Sequence, residues 1–385
     1  MLDESSLDNP DALARADTGG LLLGVAAAGA RVRTAARHAA EAGLAGLKPD
    51  GRPRTVLVAG PGPAPGHIAD LLGTLAACPV LTLPATGPGP APHDLRWQLP
   101  GWAGSSDLVL LATPYGTEPG LTTLVEAAYR RDCAVAAVAP ADAPLAEALQ
   151  QVHGLALPFA HAPYAEATAD PATEPVETLR SAADPGAFWA LLTPLLALAD
   201  RLGLLAAPPE HVQALADRLD QAAERFGPAT ETYRNPAKSL ATELTGTLPL
   251  VWHQGTATAP VARRFTDALT TLAGLPALGA ALPEAVDRHH AVLTADGGGT
   301  TGDLDDFFRD RVEEPDRLRP RIVLLRDSGT APVPAVQEAA AAHATGVSEI
   351  ETPPGAPVVA LAELLTLTDF TAVYLALGHH PAPDA

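Results

Sequence analysis

The sequence predicts an α/β fold with two parallel sheets, each covered by helices on both faces. Three observations carry this: short apolar runs closed by turn residues, helical segments between them, and the appearance of that alternation twice in 385 residues. A chain of this length accommodates two domains, each large enough for its own core, at roughly 100–200 residues per domain.

The first alternation starts after a helical stretch over 11–47, where Leu13, Leu21–Leu23 and Val25 recur among Ala-rich turns and Gly43 and Gly46 end the pattern. Thr55-Val-Leu-Val-Ala-Gly60 is a continuous apolar run closed by glycine, the signature of a buried parallel strand. A helix over Ile68–Ala77 and a strand at Val80–Leu83 follow. Pro84–Pro100 is Pro/Gly-rich and reads as loop. Asp107–Ala112 is a third strand, Leu121–Arg130 its helix and Ala134–Ala139 a fourth strand. Residues 160–185 read as loop, Phe188–Leu205 as an apolar helix and His211–Phe226 as a charged amphipathic one. The second alternation has strands at Leu248–Trp252, Leu278–Leu282 and Arg321–Leu325, a helix at Pro260–Leu272 and a final helix through Leu361–Leu377. Thr294–Arg319 is an acidic, Gly-rich insertion expected to be a loop with one helical turn. The domain boundary is expected near residue 200, giving 1–200 and 201–385.

Composition excludes several functions. With 45 Asp plus Glu against 25 Lys plus Arg, the formal charge is -20. That is the wrong sign for a general nucleic-acid binder, which neutralises phosphates with clustered Lys and Arg. Lys48 and Lys238 are the lysines of the chain. Met1–Pro10 has neither the basic nor the apolar region of a signal peptide. Apolar stretches such as Leu21–Ala30 and Ala190–Ala199 fall short of the about 20 residues a spanning helix needs. Cys78 and Cys133 make neither a disulfide framework nor a Cys-rich zinc site. The expectation is a cytoplasmic protein without membrane or nucleic-acid partners, metal or cofactor.

Two loops stand where α/β sheets bind ligands, at the carboxyl ends of strands. Gly60-Pro-Gly-Pro-Ala-Pro-Gly66 joins a strand to a helix, and Gly60 and Gly62 are candidate contacts for a phosphate. Prolines 61, 63 and 65 lack N–H donors, however, and the loop fits neither GxGxxG nor GxxxxGK[ST], so a structural turn is the competing reading. Thr113-Pro-Tyr-Gly-Thr-Glu118 offers Thr113, Tyr115 and Thr117 as hydroxyls for a phosphate, although such residues are also ordinary turn formers. Two histidine pairs occur, His289-His290 and His379-His380; adjacent residues do not face one another on a helix, so neither is an HExxH site. His289 and His290 beside Glu284 are candidates for shared acid–base work, set against a purely structural role. There is no GxSxG elbow and no acidic metal cage.

Several segments resemble the sugar isomerase (SIS) domain family, most closely its bifunctional phosphoglucose/phosphomannose isomerases. Thr368-Asp-Phe-Thr-Ala-Val-Tyr-Leu-Ala-Leu377 looks like the family's Asp-Tyr-Xaa-Ser-Val-Tyr-Leu-Ala ending. Asn235-Pro-Ala-Lys-Ser-Leu-Ala241 and Leu248-Pro-Leu-Val-Trp252 are similar to the start of its second SIS subdomain, and Leu282-Pro-Glu284 to the Phe-Pro-Glu before its histidine. These anchors span most of 200–385; the N-terminal half is similar only in strand and loop order. The resemblance implies two tandem SIS-type (flavodoxin-like) subdomains, a phosphorylated hexose as ligand, a homodimer, and aldose–ketose isomerisation of glucose 6-phosphate or mannose 6-phosphate.

Departures from the family pattern bear on activity. The family's Gly-Met-Gly-Gly-Ser loop corresponds to Gly60-Pro-Gly-Pro-Ala64, and its Ser-Tyr-Ser-Gly-Asn-Thr phosphate loop to Thr113–Glu118, where an acid repels phosphate. Its catalytic Asn-Glu-Asn-Ala-Lys segment falls on Thr270–Gly274, so the base position is Thr271 and the lysine position Gly274. Its ring-opening histidine falls on Asp287, with His289 or His290 as replacements. Three readings follow. One is a pseudo-enzyme that binds a sugar phosphate or partner. Another is a rewired isomerase with Glu284 as base, His289 or His290 as acid and Thr113, Thr117 and Thr371 as ligand hydroxyls. The third is a structural or regulatory subunit.

Overall fold

A computed structural model describes residues 4–49, 51–159, 185–295 and 319–379. The loop expected at 160–185 and the insertion expected at 294–319 therefore lie almost wholly outside the described residues, as does His380. The chain divides into two compact units. One comprises Gly19–Glu224 with Ala356–Ala362 and contains the first sheet. The other comprises Met1–Thr18, Arg225–Gly355 and Glu363–Ala385 and contains the second.

The first sheet has five parallel strands, β1 (Thr55–Ala59), β2 (Val80–Thr82), β3 (Asp107–Ala112), β4 (Ala134–Ala139) and β5 (Leu155–Pro158), in the order β2-β1-β3-β4-β5. The register pairs Val56 with Leu108 and Leu110 with Ala136. β1 and β3 are buried along their whole length, which is why their sequences are continuously apolar. Side-chain parity sorts the two faces. Leu57, Val109, Leu111 and Val135 pack with Leu121, Leu124 and Leu145 from helices Pro119–Tyr129 and Pro144–Gln151. On the other face Val56, Leu108 and Leu110 meet Leu72 of helix Ala64–Leu75 and Leu198 of helix Pro185–Arg201.

In chain order the helices are α1 (Glu4–Leu7), α2 (Pro10–Ala16), α3 (Leu21–Ala26), α4 (Ala28–Glu41), α5 (Ala64–Leu75), α6 (Pro119–Tyr129), α7 (Pro144–Gln151), α8 (Pro185–Arg201) and α9 (Pro209–Phe226). The single helical stretch expected over 11–47 is three helices and a 3-10 turn, broken where Gly20 takes a left-handed conformation. α5 starts four residues earlier than expected, because Pro65 sits in the first turn, where its missing N–H costs no hydrogen bond.

The second sheet is also parallel, with β6 (Thr247–Gln254), β7 (Leu278–Ala281), β8 (Arg319–Arg326) and β9 (Gly346–Glu351) in the order β7-β6-β8-β9. Its helices are α10 (Pro236–Leu244), α11 (Thr258–Thr271), α12 (Glu284–Arg288), α13 (His290–Ala295), α14 (Pro334–Ala342) and α15 (Pro357–His379). Leu250, Trp252, Ile322 and Leu324 face Ala285, Leu293 and Val336 of α12, α13 and α14. Both sheets thus follow the doubly wound pattern expected from the sequence.

Two buried polar clusters hold the second domain. Arg264 of α11 and Asp369 of α15 form a bidentate pair, Nε–Oδ1 3.1 Å and Nη2–Oδ2 3.0 Å, with both side chains less than a tenth exposed. Lys238 of α10 is fully buried. Its Nζ donates to the Pro228 carbonyl at 2.9 Å, lies 3.6 Å from the Asp8 carboxylate and sits 5.7 Å from the centre of the Tyr374 ring. Asp8 also accepts from the Thr232 N–H and hydroxyl at 2.8 and 2.7 Å.

Among the described residues α15 is the one helix long and apolar enough to cross a bilayer by length and composition, a segment the apolar-run reading passed over; 83% of its window is buried, as in a core helix.

Candidate functional site

In an open parallel sheet, ligands bind where strand order reverses and neighbouring crossovers leave a crevice. In the first sheet that switch point lies between β1 and β3, so its loops are Gly60–Pro63 and Thr113–Glu118. In the second it lies between β6 and β8, with loops Gln254–Ala257 and Asp327–Thr330.

Gly60 is buried, and a Cβ there would overlap the Ala112 carbonyl, so this glycine lets the β1 loop cross the end of β3. Gly62 is exposed and left-handed. Thr113 is fully buried. Its Oγ1 accepts from the N–H groups of Tyr115 and Gly116, both at 3.1 Å, and its hydroxyl donates to Glu118 Oε1 at 2.8 Å. Gly116 combines φ +67 with a position where a Cβ would press on Ala143, so only glycine fits. Tyr115 is half-buried and Thr117 exposed.

Glu118, which the sequence marks only as an acid that repels phosphate, is the central group of this loop. It is 1% exposed, and its Oε2 is buried without a hydrogen-bond partner. Burial pushes its carboxyl above the ordinary range, against the opposing pull of the Glu118, Thr117 and Gly116 N–H groups and the Thr113 hydroxyl. The acidic side chain therefore takes the Thr113 hydroxyl that the loop would offer an external anion.

In the second domain, Asp327 at the end of β8 accepts from Thr258 N at 3.0 Å and Ala257 N at 3.3 Å, capping the start of α11. Glu284 is exposed in the first turn of α12, after the cis Leu282–Pro283 peptide. His289 is buried; its Nδ1 accepts from Trp252 Nε1 at 2.8 Å, which places the proton of the neutral ring on Nε2. Burial, helped by Arg288, holds its pKa below the ordinary histidine value. His290 is exposed, its ring 5.9 Å from that of His343. Glu284, His289 and His290 thus share one segment, but His289 is turned into the core. Thr271 is exposed and its hydroxyl donates to the Asp267 carbonyl at 2.8 Å; Gly274 is exposed with φ +63. Thr371 is fully buried in α15, donating to the Leu367 carbonyl at 2.8 Å. Asp369, in the same motif, is the partner of Arg264. Among the described residues no group of three or more His, Cys, Asp or Glu is placed to hold a metal ion.

Residues 233–385 match the family model of the bacterial phospho-glucose isomerase C-terminal SIS domain. None of the curated proteins compared with the chain matches it. Among solved structures, the chain is similar to a glucose-6-phosphate isomerase like protein from Thermus thermophilus, with 18% identity, a TM-score of 0.51 and coverage of 100% of this chain and 99% of that one. It is also similar to a provisionally named phosphosugar isomerase from Clostridium difficile 630, with 13% identity, a TM-score of 0.55 and coverage of 94% and 92%. A third, similarly named, from Silicibacter pomeroyi DSS-3 has 16% identity, a TM-score of 0.54 and coverage of 94% and 99%. At these identities the likeness to solved structures is one of fold, and it extends over both domains. The segment 233–385 is thus similar to an SIS domain, as its motifs imply.

Proposed function

We propose that the chain is a non-isomerising SIS protein, a cytoplasmic, homodimeric relative of the phosphoglucose/phosphomannose isomerases that binds phosphorylated hexose weakly without isomerising it. One observation carries this reading: the buried Glu118 carboxylate lies on the Thr113–Glu118 loop, where the resemblance puts the phosphate. Isomerisation also needs a tuned base to move a proton between C1 and C2. The family's base position is Thr271, whose hydroxyl is committed to its own helix, and its lysine position is Gly274.

A rewired isomerase is the competing reading, favoured by the solvent-exposed Glu284 beside the His289-His290 pair. A coupled assay with glucose 6-phosphate and mannose 6-phosphate separates the two. The expected result is no turnover above buffer. Turnover abolished by Glu284→Gln would sink the proposal. Weak binding is expected to appear as a thermal shift only at high hexose phosphate, since ligand at about 100 times its dissociation constant adds about 2.7 kcal/mol.

A further inference from the structure

We infer that the Glu118 carboxylate is a built-in occupant of the β1/β3 switch-point cradle, an intramolecular competitor that any external oxyanion must displace. This deepens the ligand reading above and rests on it, because it takes the Thr113–Glu118 loop as the anion-binding loop.

The loop has a left-handed Gly116, a buried Thr113 whose Oγ1 already gathers the Tyr115 and Gly116 N–H groups and whose hydroxyl donates to Glu118, and the start of the 11-residue α6. Glu118 Oε1 takes the Thr113 hydroxyl at 2.8 Å, and the side chain is 1% exposed. Oε2 is buried and has no hydrogen-bond partner. A planar carboxylate therefore fills the cradle but leaves one acceptor unmatched, so the occupant is an imperfect fit. That mismatch is what makes it displaceable rather than permanent, because a buried acceptor without a partner is unfavourable.

A carboxylate also stands at the second switch point. Strand order makes β3 of the first sheet and β8 of the second equivalent, and the loop after β8 supplies Asp327. Its carboxylate takes the Ala257 and Thr258 N–H groups at the start of α11, a 14-residue helix. Each switch point thus carries a carboxylate on the loop after the equivalent strand, bonded to its own loop's Thr113 hydroxyl in the first domain and to the first N–H groups of α11 in the second. In the first domain the carboxylate is buried and half-satisfied; in the second both oxygens are bonded.

The test is calorimetric titration of the full chain with inorganic phosphate and, separately, glucose 6-phosphate at fixed ionic strength. Wild type is compared with Glu118→Thr, Glu118→Gln and the exposed control Glu126→Gln. Removing a like charge from within about 4 Å of a bound anion is worth at least about fivefold in affinity. Glu118→Thr is therefore expected to bind phosphate at least about fivefold more tightly than wild type. Glu118→Gln, which keeps the bulk, is expected to gain less, and Glu126→Gln nothing. A folded Glu118→Thr with wild-type affinity would overturn the inference. Should Glu118→Thr fail to fold by circular dichroism, Glu118→Gln decides: no gain over wild type, or a gain equal to that of Glu126→Gln, overturns it. Turnover is not the readout, so an active wild-type enzyme would refute the proposed function and leave this result standing.

Discussion

Asp369→Asn, which removes the charged partner of the buried Arg264, is expected to destabilise the second domain. The pair is bidentate at 3.1 and 3.0 Å, and it ties α11 to α15 with both side chains less than a tenth exposed. Breaking a buried pair by removing one charge costs about 3–5 kcal/mol, because the other stays desolvated without compensation. At about 2–4 °C per kcal/mol for a domain of this size, the melting transition should fall by about 6–20 °C. An exposed pair such as Arg130–Glu126, at 3.8 Å, is the contrast and is worth at most about 0.5 kcal/mol. Because two domains need not unfold together, the loss is read from hydrogen exchange of β6 and α15 amides during urea unfolding. The double change Arg264→Met with Asp369→Leu should recover most of it, since apolar replacement of both partners avoids the stranded charge. A loss under about 1 kcal/mol for Asp369→Asn, or a double variant equal to the sum of its parts, would refute the reasoning.

Two other outcomes are expected. His289 is held neutral by burial and accepts from Trp252, so its folded pKa lies below its unfolded value; the stability it contributes is present above the unfolded value of about 6.5 and is lost as pH falls through the depressed folded one. Compared with His289→Phe, wild type should therefore lose stability more steeply on acidification in chemical denaturation from pH 7 to pH 5 (about two units around that pKa); parallel profiles would contradict the assignment. Gly116→Ala meets both a left-handed backbone and the Ala143 side chain. It should destabilise the first domain by about 1–3 kcal/mol, measured as a shift in urea midpoint, and an unchanged midpoint would contradict the tight-turn account.

What the sequence disclosed depended on burial. β1, β3 and β4 are legible because a strand covered on both faces has no need to alternate. β9 escaped notice because Gly-Val-Ser-Glu-Ile-Glu is a half-exposed edge strand whose pattern is diluted by charge, and β5 because four residues are too few to show a period. The site divides in the same way. Thr113, Tyr115 and Thr117 are legible as loop residues from their place after a strand, since loop position follows from strand order. The inward turn of Glu118 was invisible, because a carboxylate beside a proline reads as solvated until its neighbours are known. His289 was singled out for its proximity to Glu284, whereas its hydrogen-bond partner Trp252 lies 37 residues away in sequence. In the most recognisable motif of the chain, Asp369 ties two helices together through Arg264, and the Thr371 hydroxyl is spent on its own helix.

The bonds from Asp8 to Thr232 bear on how the second domain is assembled. They join residues 224 positions apart, and the Lys238 ammonium lies 3.6 Å from the same carboxylate. A chain cut at Arg225 would bury that ammonium with its counter-ion on another molecule, so the segment Met1–Thr18 is a structural part of a domain encoded mostly at the other end. Contacts of such long sequence separation form late, because the entropy of closing the intervening loop must be met before they give anything back. The second domain should therefore reach its native state slowly, with docking of the N-terminal helices as its final ordering step.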